Sequence, residues 1–139
     1  MAYVQFPLNE VPRRSTESRR EAKDLGVVGE QIATRFLEEC GYAIVERNYR
    51  CGRHEVDIIA LDGRWLVVVE VKTRTDDGLG TPEDAVDHRK RGFIISVANE
   101  YMKSHNRSEE VRFDVVSIVF KEGRPDVRHI KDAYNSMNY

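Results

Sequence analysis

The 139-residue chain lacks a long hydrophobic run, a cysteine framework and an excess of positive charge. Its longest clean apolar stretch, residues 65–69, is far short of the ~20 residues that a membrane-spanning helix needs, so no membrane partner is expected. The first twenty residues carry arginines but no apolar segment of the kind found in secretory signals, and a cytoplasmic protein is expected. Only Cys40 and Cys51 are present, without C-x-x-C spacing, which favours two free thiols over a disulfide or a metal site. There is no internal repeat and no low-complexity segment. The length suits one domain with one core.

The missing basic excess counts against a protein that coats nucleic acid, since 22 Lys and Arg face 24 Asp and Glu. The positive residues are nevertheless clustered, at Arg47, Arg50 and Arg53, at Lys72 and Arg74, and from His88 to Arg91. Clustering governs the local field more than the net charge does.

Residues 1–21 contain Pro7 and Pro12 and show no sustained periodicity, which predicts a flexible N-terminal arm before a single domain over residues 22–139. Gly29, Ala33, Phe36, Leu37 and Cys40 recur at helical spacing across residues 25–40, with Gly41 following as a C-cap. Residues 42–49 predict a strand. Residues 55–61 and 64–73 predict two more, joined by Asp62-Gly63, a strong hairpin signal. Thr81-Pro82-Glu83-Asp84 has the N-cap, N1 proline and acidic first turn of a second helix, running to about Lys103. A strand over residues 111–120 follows, then a turn at Glu122-Gly123 and a short edge strand or tail over residues 127–131. The order α-β-β-β-α-β predicts an α/β fold in which helices flank a mixed sheet.

The hairpin decides which acids meet. A two-residue Asp62-Gly63 turn pairs Leu61 with Arg64, Asp57 with Val68 and Glu55 with Glu70, which makes Asp57 and Glu70 diagonal neighbours. Such neighbours are ~7–8 Å apart, a span that carboxylates can close onto a shared ion. Alternation then puts Glu55, Asp57, Glu70 and Lys72 on one face, provided that the turn has an even number of residues. Three acids at the end of an otherwise apolar strand repel each other unless a cation compensates them or water solvates them. With a cation, Asp57 and Glu70 are the candidate ligands of Mg²⁺ or Mn²⁺, hard ions that prefer oxygen, and the Val71 carbonyl is a further one. Such an ion activates water and polarises a phosphodiester, and Lys72 is placed to steady the charge that develops.

Asp57, the hairpin, and Glu70-Val71-Lys72 resemble the PD-(D/E)-x-K signature of the restriction-endonuclease-like nucleases. Read with Gly29-Glu30, Gly41-Tyr42, Arg47-Asn48-Tyr49-Arg50, the run from Glu55 to Ala60, Thr73-Arg74, Lys90 and the run from Arg112 to Val116, the chain is similar to the YraN-like family. These are small uncharacterised bacterial proteins related to archaeal Holliday-junction resolvases, and the resemblance covers residues 24–120.

The resemblance implies a restriction-endonuclease-like core and a metal-dependent nuclease acting on nucleic acid, with DNA, including branched DNA, as the expected substrate. It implies Glu30 as a further acid at the metal site, where the simpler account is a first-turn acid favoured by the helix dipole. A homodimer would match a substrate of two-fold symmetry. His54 departs from the family, which usually has glycine there; it is a candidate phosphate or metal contact, or a solvated loop residue. Glu55 is either a third acid near the ion or a solvated strand start. Lys90, in the apolar stripe of the second helix, either reaches the site or snorkels to the surface. Arg47, Arg50, Arg53 and Arg74 suit phosphate contact, with solvated surface charge as the alternative. Asp114 and the tyrosines Tyr42, Tyr49 and Tyr101 suit structural use. The rival function is a noncatalytic nucleic-acid-binding or adaptor protein that retains the fold.

Overall fold

The structure, a computed structural model, describes residues 2–3, 18–76 and 88–137. In chain order the elements are β1 (Ala2–Tyr3), α1 (Ser18–Glu39), β2 (Ala43–Cys51), β3 (His54–Asp62), β4 (Trp65–Thr75), α2 (His88–Ser104), β5 (Glu110–Lys121) and β6 (Arg124–Tyr134). The sheet order is β1-β6-β5-β4-β3-β2, with β4 and β5 parallel and every other neighbour antiparallel. The α/β class and the mixed sheet are as expected, and the arrangement is compatible with a restriction-endonuclease-like core.

Helix α1 packs on one face of the sheet through Leu25, Ile32, Ala33, Phe36 and Leu37, against Ile58, Ala60, Val67, Val69, Val116 and Ile118. Helix α2 covers the other face through Ile94, Ile95, Val97, Ala98 and Tyr101, against Ile59, Leu66, Val68, Phe113 and Val115. Strands buried on both sides explain the unbroken apolar runs of β3 and β4. Both helices end in the same way. Gly41 (φ 93) and Asn106 (φ 50) take the left-handed cap, and Tyr42 N–H and Arg107 N–H bond back to the carbonyls of Leu37 and Met102 at 2.9 Å each.

Several boundaries differ from the sequence expectation. Helix α1 starts at Ser18, and Ala2 and Tyr3 pair with Val127 and Asp126, so two pieces of the expected arm belong to secondary structure. The remainder of that arm, and the Thr81-Pro82-Glu83-Asp84 helix start, lie outside the described residues. Strand β6 is eleven residues long rather than a short edge or tail. Cys40 and Cys51 are free thiols.

The hairpin register differs by two. Asp62 pairs with Trp65 and Leu61 with Leu66, so the turn is Gly63-Arg64 rather than Asp62-Gly63. Gly63 has φ 58 and Arg64 has no positive φ, which fits a two-residue turn with glycine first. The turn is still even, so parity holds. The new register, continued one step past its last pair Ile58↔Val69, brings Asp57 opposite Glu70 instead of diagonal to it.

On the α1 face near this hairpin lies a buried charged network. Arg112 donates to both oxygens of Asp114 at 2.9 Å each, to Asp62 Oδ2 at 3.0 Å and to Tyr42 OH at 2.7 Å. His129 Nε2 lies 2.7 Å from Asp114 Oδ2, and Asp132 N–H donates to Oδ1 at 3.0 Å. Asp114 is therefore structural, as its place on an apolar strand suggests. Among the described residues, no helix is long and apolar enough to cross a membrane.

Candidate metal and phosphodiester site

Side-chain alternation fails at one place in β3. Ile58 packs on the α1 face and Val56, two residues earlier, packs on the α2 face, so the irregularity falls on Asp57 between them. Across the ladder, between the pairs Arg47↔Ile58 and Tyr49↔Val56, Asn48 takes a left-handed φ of 53. The Asp57 side chain turns toward β4, and its Oδ2 accepts the Val71 N–H at 2.7 Å where the β3–β4 pairing has stopped. The expectation that Glu55, Asp57, Glu70 and Lys72 share one face by alternation is thereby corrected. The acids meet because the strand is irregular at Asp57, and acids from both sides of the sheet gain access.

Glu30 comes from the α1 side. Its neighbour Gly29 packs so closely on β4 that a Cβ there would collide with Thr73 Oγ1, so glycine sets how near this turn of the helix comes to the sheet. Carboxylate oxygens of Glu30, Glu55 and Asp57 all lie within 4.8 Å of one another. With its amide nitrogen turned to these acids, Asn48 donates to Glu30 Oε1 at 2.6 Å and Glu55 Oε1 at 3.2 Å. Arg50 holds the other Glu55 oxygen at 2.9 Å.

Glu70 and Lys72 lie deeper, with side chains 5% and 3% exposed. Their charged atoms are 3.8 Å apart, and Lys90 Nζ reaches Glu70 Oε2 at 3.0 Å from α2. Neither contact has hydrogen-bond alignment, and both Glu70 oxygens and Lys72 Nζ are buried without a hydrogen-bond partner. A cavity of about 40 Å³ is lined by Glu55, Asp57, Glu70, Lys90, Val69 and Ile94. That exceeds the ~10–15 Å³ that one water needs.

The proton affinities follow from this crowding. Burial pushes Asp57 up to about 7; the Val71 N–H opposes this, while Glu30 and Glu70 add to it. Glu30 is raised by burial and then by Glu55. Lys72 is lowered by burial, against the opposing pull of Glu70. Oxygen donors that repel one another around a small polar cavity fit a hard divalent cation, whose charge would relieve the repulsion.

The other candidates divide. Lys90 reaches the site, as its place in the α2 stripe allows. His54 stacks on Phe93 instead, with ring centroids 4.0 Å apart, and is not among the grouped metal-capable side chains. Arg47 and Arg53 are exposed, Arg50 is tied to Glu55, and Arg74 is half-buried. Tyr49 packs edge-on against Tyr101, and Tyr42 is buried, as expected.

Two neighbours escaped the sequence reading. Asn48 had a readable signal, because asparagine tolerates the left-handed conformation and is unusual inside a strand. Tyr134 had none. Its buried hydroxyl has no hydrogen-bond partner, its ring lies under Arg91 at 4.9 Å, and its pKa is raised by burial and then by Glu70. A larger open hollow of about 580 Å³, at the C-terminal end of α2, includes Arg107 and Glu109, which pair with each other at 2.7 Å.

The model of the uncharacterised protein family UPF0102 matches residues 29–118. A UPF0102 protein of Rhodococcus opacus is 46% identical over 112 residues, covering 79% of this chain and 95% of the relative. Those of Geotalea daltonii and Bacteroides thetaiotaomicron are 42% and 41% identical, covering 86% and 82% of this chain and 95% and 94% of the relatives.

Proposed function

The chain belongs to the uncharacterised protein family UPF0102, and from its site we propose that it is a cytoplasmic, metal-dependent nuclease that hydrolyses phosphodiester bonds in DNA. One observation carries this reading: Glu55, Asp57 and Glu70 line a cavity of about 40 Å³, Glu30 has a carboxylate oxygen within 4.8 Å of those of Glu55 and Asp57, and the buried Glu70 oxygens and Lys72 Nζ have no hydrogen bond. Buried charges with unmet hydrogen bonds are costly in a fold, and such groups cluster at functional sites.

Asp57, Glu30 and Glu55 would hold Mg²⁺ or Mn²⁺, with Glu70 on the other side of the cavity. The Val71 carbonyl is an added donor, because in an antiparallel strand it points to the same side as the N–H that Asp57 accepts. The bound ion would supply Lewis acidity toward the phosphate and a water activated near neutral pH. Lys72, close to Glu70, would orient the attacking water or offset charge growing on the phosphoryl oxygens. Asn48 and Arg50 fix the acids, and Arg47, Arg53 and Arg74 are suited to contact the flanking phosphates.

The test incubates the protein with single-stranded, duplex, flapped and four-way DNA plus Mg²⁺ or Mn²⁺, beside Glu70→Gln and Lys72→Ala. Cleavage is expected to fall by about a hundredfold or more in each variant. Cleavage that survives both substitutions would indicate a contaminant. Binding without cleavage would point to the noncatalytic adaptor.

A further inference from the structure

The acid cavity accommodates an ion with its water, but at about 40 Å³ it is far below the ~300–1,000 Å³ of pockets that enclose small organic ligands. The nucleotide next to the reacting phosphate must therefore lie outside it. The cavity lining includes Glu55 at the start of β3 and Lys90 and Ile94 in the first turns of α2. His54 and Phe93 project from those same two elements. Their rings are stacked, with centroids 4.0 Å apart and planes 17° from parallel.

Phe93 is out of keeping with the rest of its helix. Ile94, Ile95, Val97, Ala98 and Tyr101 are buried, yet Phe93 remains 38% exposed, one residue from a cavity-lining side chain. A ring that merely plugged the end of the sheet would be covered. Exposed Arg89, four residues before it, lies on the same helical face and adds a guanidinium suited to phosphate. A flat aromatic pair flanked by cations is the arrangement by which proteins hold unpaired bases, whose faces are free to stack; in a continuous duplex those faces are already occupied.

We propose that His54 and Phe93 form a stacking platform for an unpaired base beside the scissile phosphate, so that the chain selects single-stranded or locally melted DNA over continuous duplex. The inference rests on the nuclease reading and adds the substrate class. It also gives a use to His54 that is neither a metal nor a phosphate contact.

The full chain is titrated, with Ca²⁺ in place of Mg²⁺, against a single-stranded oligonucleotide carrying 2-aminopurine and against a blunt duplex of the same sequence. Phe93→Ala and Phe93→Tyr are run in parallel, with circular dichroism as the check on folding. Wild-type protein should quench 2-aminopurine on binding. Phe93→Ala should lose the quench and bind the single strand about tenfold more weakly, with the duplex little changed, and Phe93→Tyr should restore both. If Phe93→Ala binds and quenches like wild type, the platform is wrong while the nuclease reading stands. If wild type neither binds nor, with Mg²⁺ or Mn²⁺, cleaves either form, both fall together.

Discussion

The sheet carries a buried charged cluster on each side, and the two are built on opposite rules. Around Asp114, fully buried on the α1 face, every charge is answered: Arg112 grips both oxygens, and His129 and the Asp132 N–H take the remaining lone pairs. Burial alone would raise the Asp114 pKa, but the hydrogen bonds from His129 and Arg112 hold it below the usual range. Around Asp57 and Glu70, among the described residues, four acids share three ion-pairing cations, Arg50, Lys72 and Lys90, and burial carries Asp57 up to about 7. Asp114 is fully buried and Glu70 nearly so, while Asp57 and Glu30 are partly exposed; compensation differs more. A buried charge by itself does not single out a candidate site, whereas crowded acids with unmet hydrogen bonds do.

The comparison breaks hardest at Arg112. Arg112→Ala would strand the Asp114 carboxylate, and urea unfolding should show a loss of about 3–5 kcal/mol. A smaller loss would mean that His129 and the Asp132 N–H suffice. Next comes Asn48→Gly, which keeps the left-handed backbone and removes the amide that aligns Glu30 and Glu55. Calorimetric titration with Mn²⁺ should then give an affinity about 10–100-fold weaker, as for other groups that orient metal ligands, with the fold unchanged. Affinity equal to wild type would separate Asn48 from the site.

The smallest effect has the opposite sign. Asp57 has an unfolded pKa near 3.8 and a folded value of about 7, so between these limits the folded state keeps a proton that the unfolded chain has released. Its contribution to stability is fully present below about pH 4 and is lost as pH rises toward 7. Asp57→Asn, still able to accept the Val71 N–H, should therefore raise stability at pH 8 by about 0.5–2 kcal/mol in EDTA and flatten that pH dependence, while abolishing cleavage. A less stable variant at pH 8 would move Asp57 into the same class as Asp114.

Much of this was legible in the sequence. Periodicity located both helices, and the Asp62-Gly63 signal located the hairpin to within one residue, because glycine's freedom at positive φ dominates a two-residue turn. That small offset moved the register by two and preserved parity. Glu30 lies beside Glu55 and Asp57, and Lys72 and Lys90 lie beside Glu70. The break in alternation at Asp57 was not legible, because it depends on how Asn48 bends the neighbouring strand and on where the β3–β4 pairing ends. Tyr134 was not legible either: 64 residues separate it from Glu70, and only the sheet order brings their strands to the same face.

The close fit of Gly29 on Thr73 has a consequence for when such a site can exist. Glu30 stands on a helix, Asn48, Asp57 and Glu70 on three successive strands, and Lys90 on a second helix, so no single element carries the whole set. The close contact of α1 with β4 holds Glu30 beside Glu55 and Asp57. Until both helices pack on the sheet, Glu30 and Lys90 stand away from the acids of the strands, so the complete arrangement is a property of the folded domain and of no smaller part.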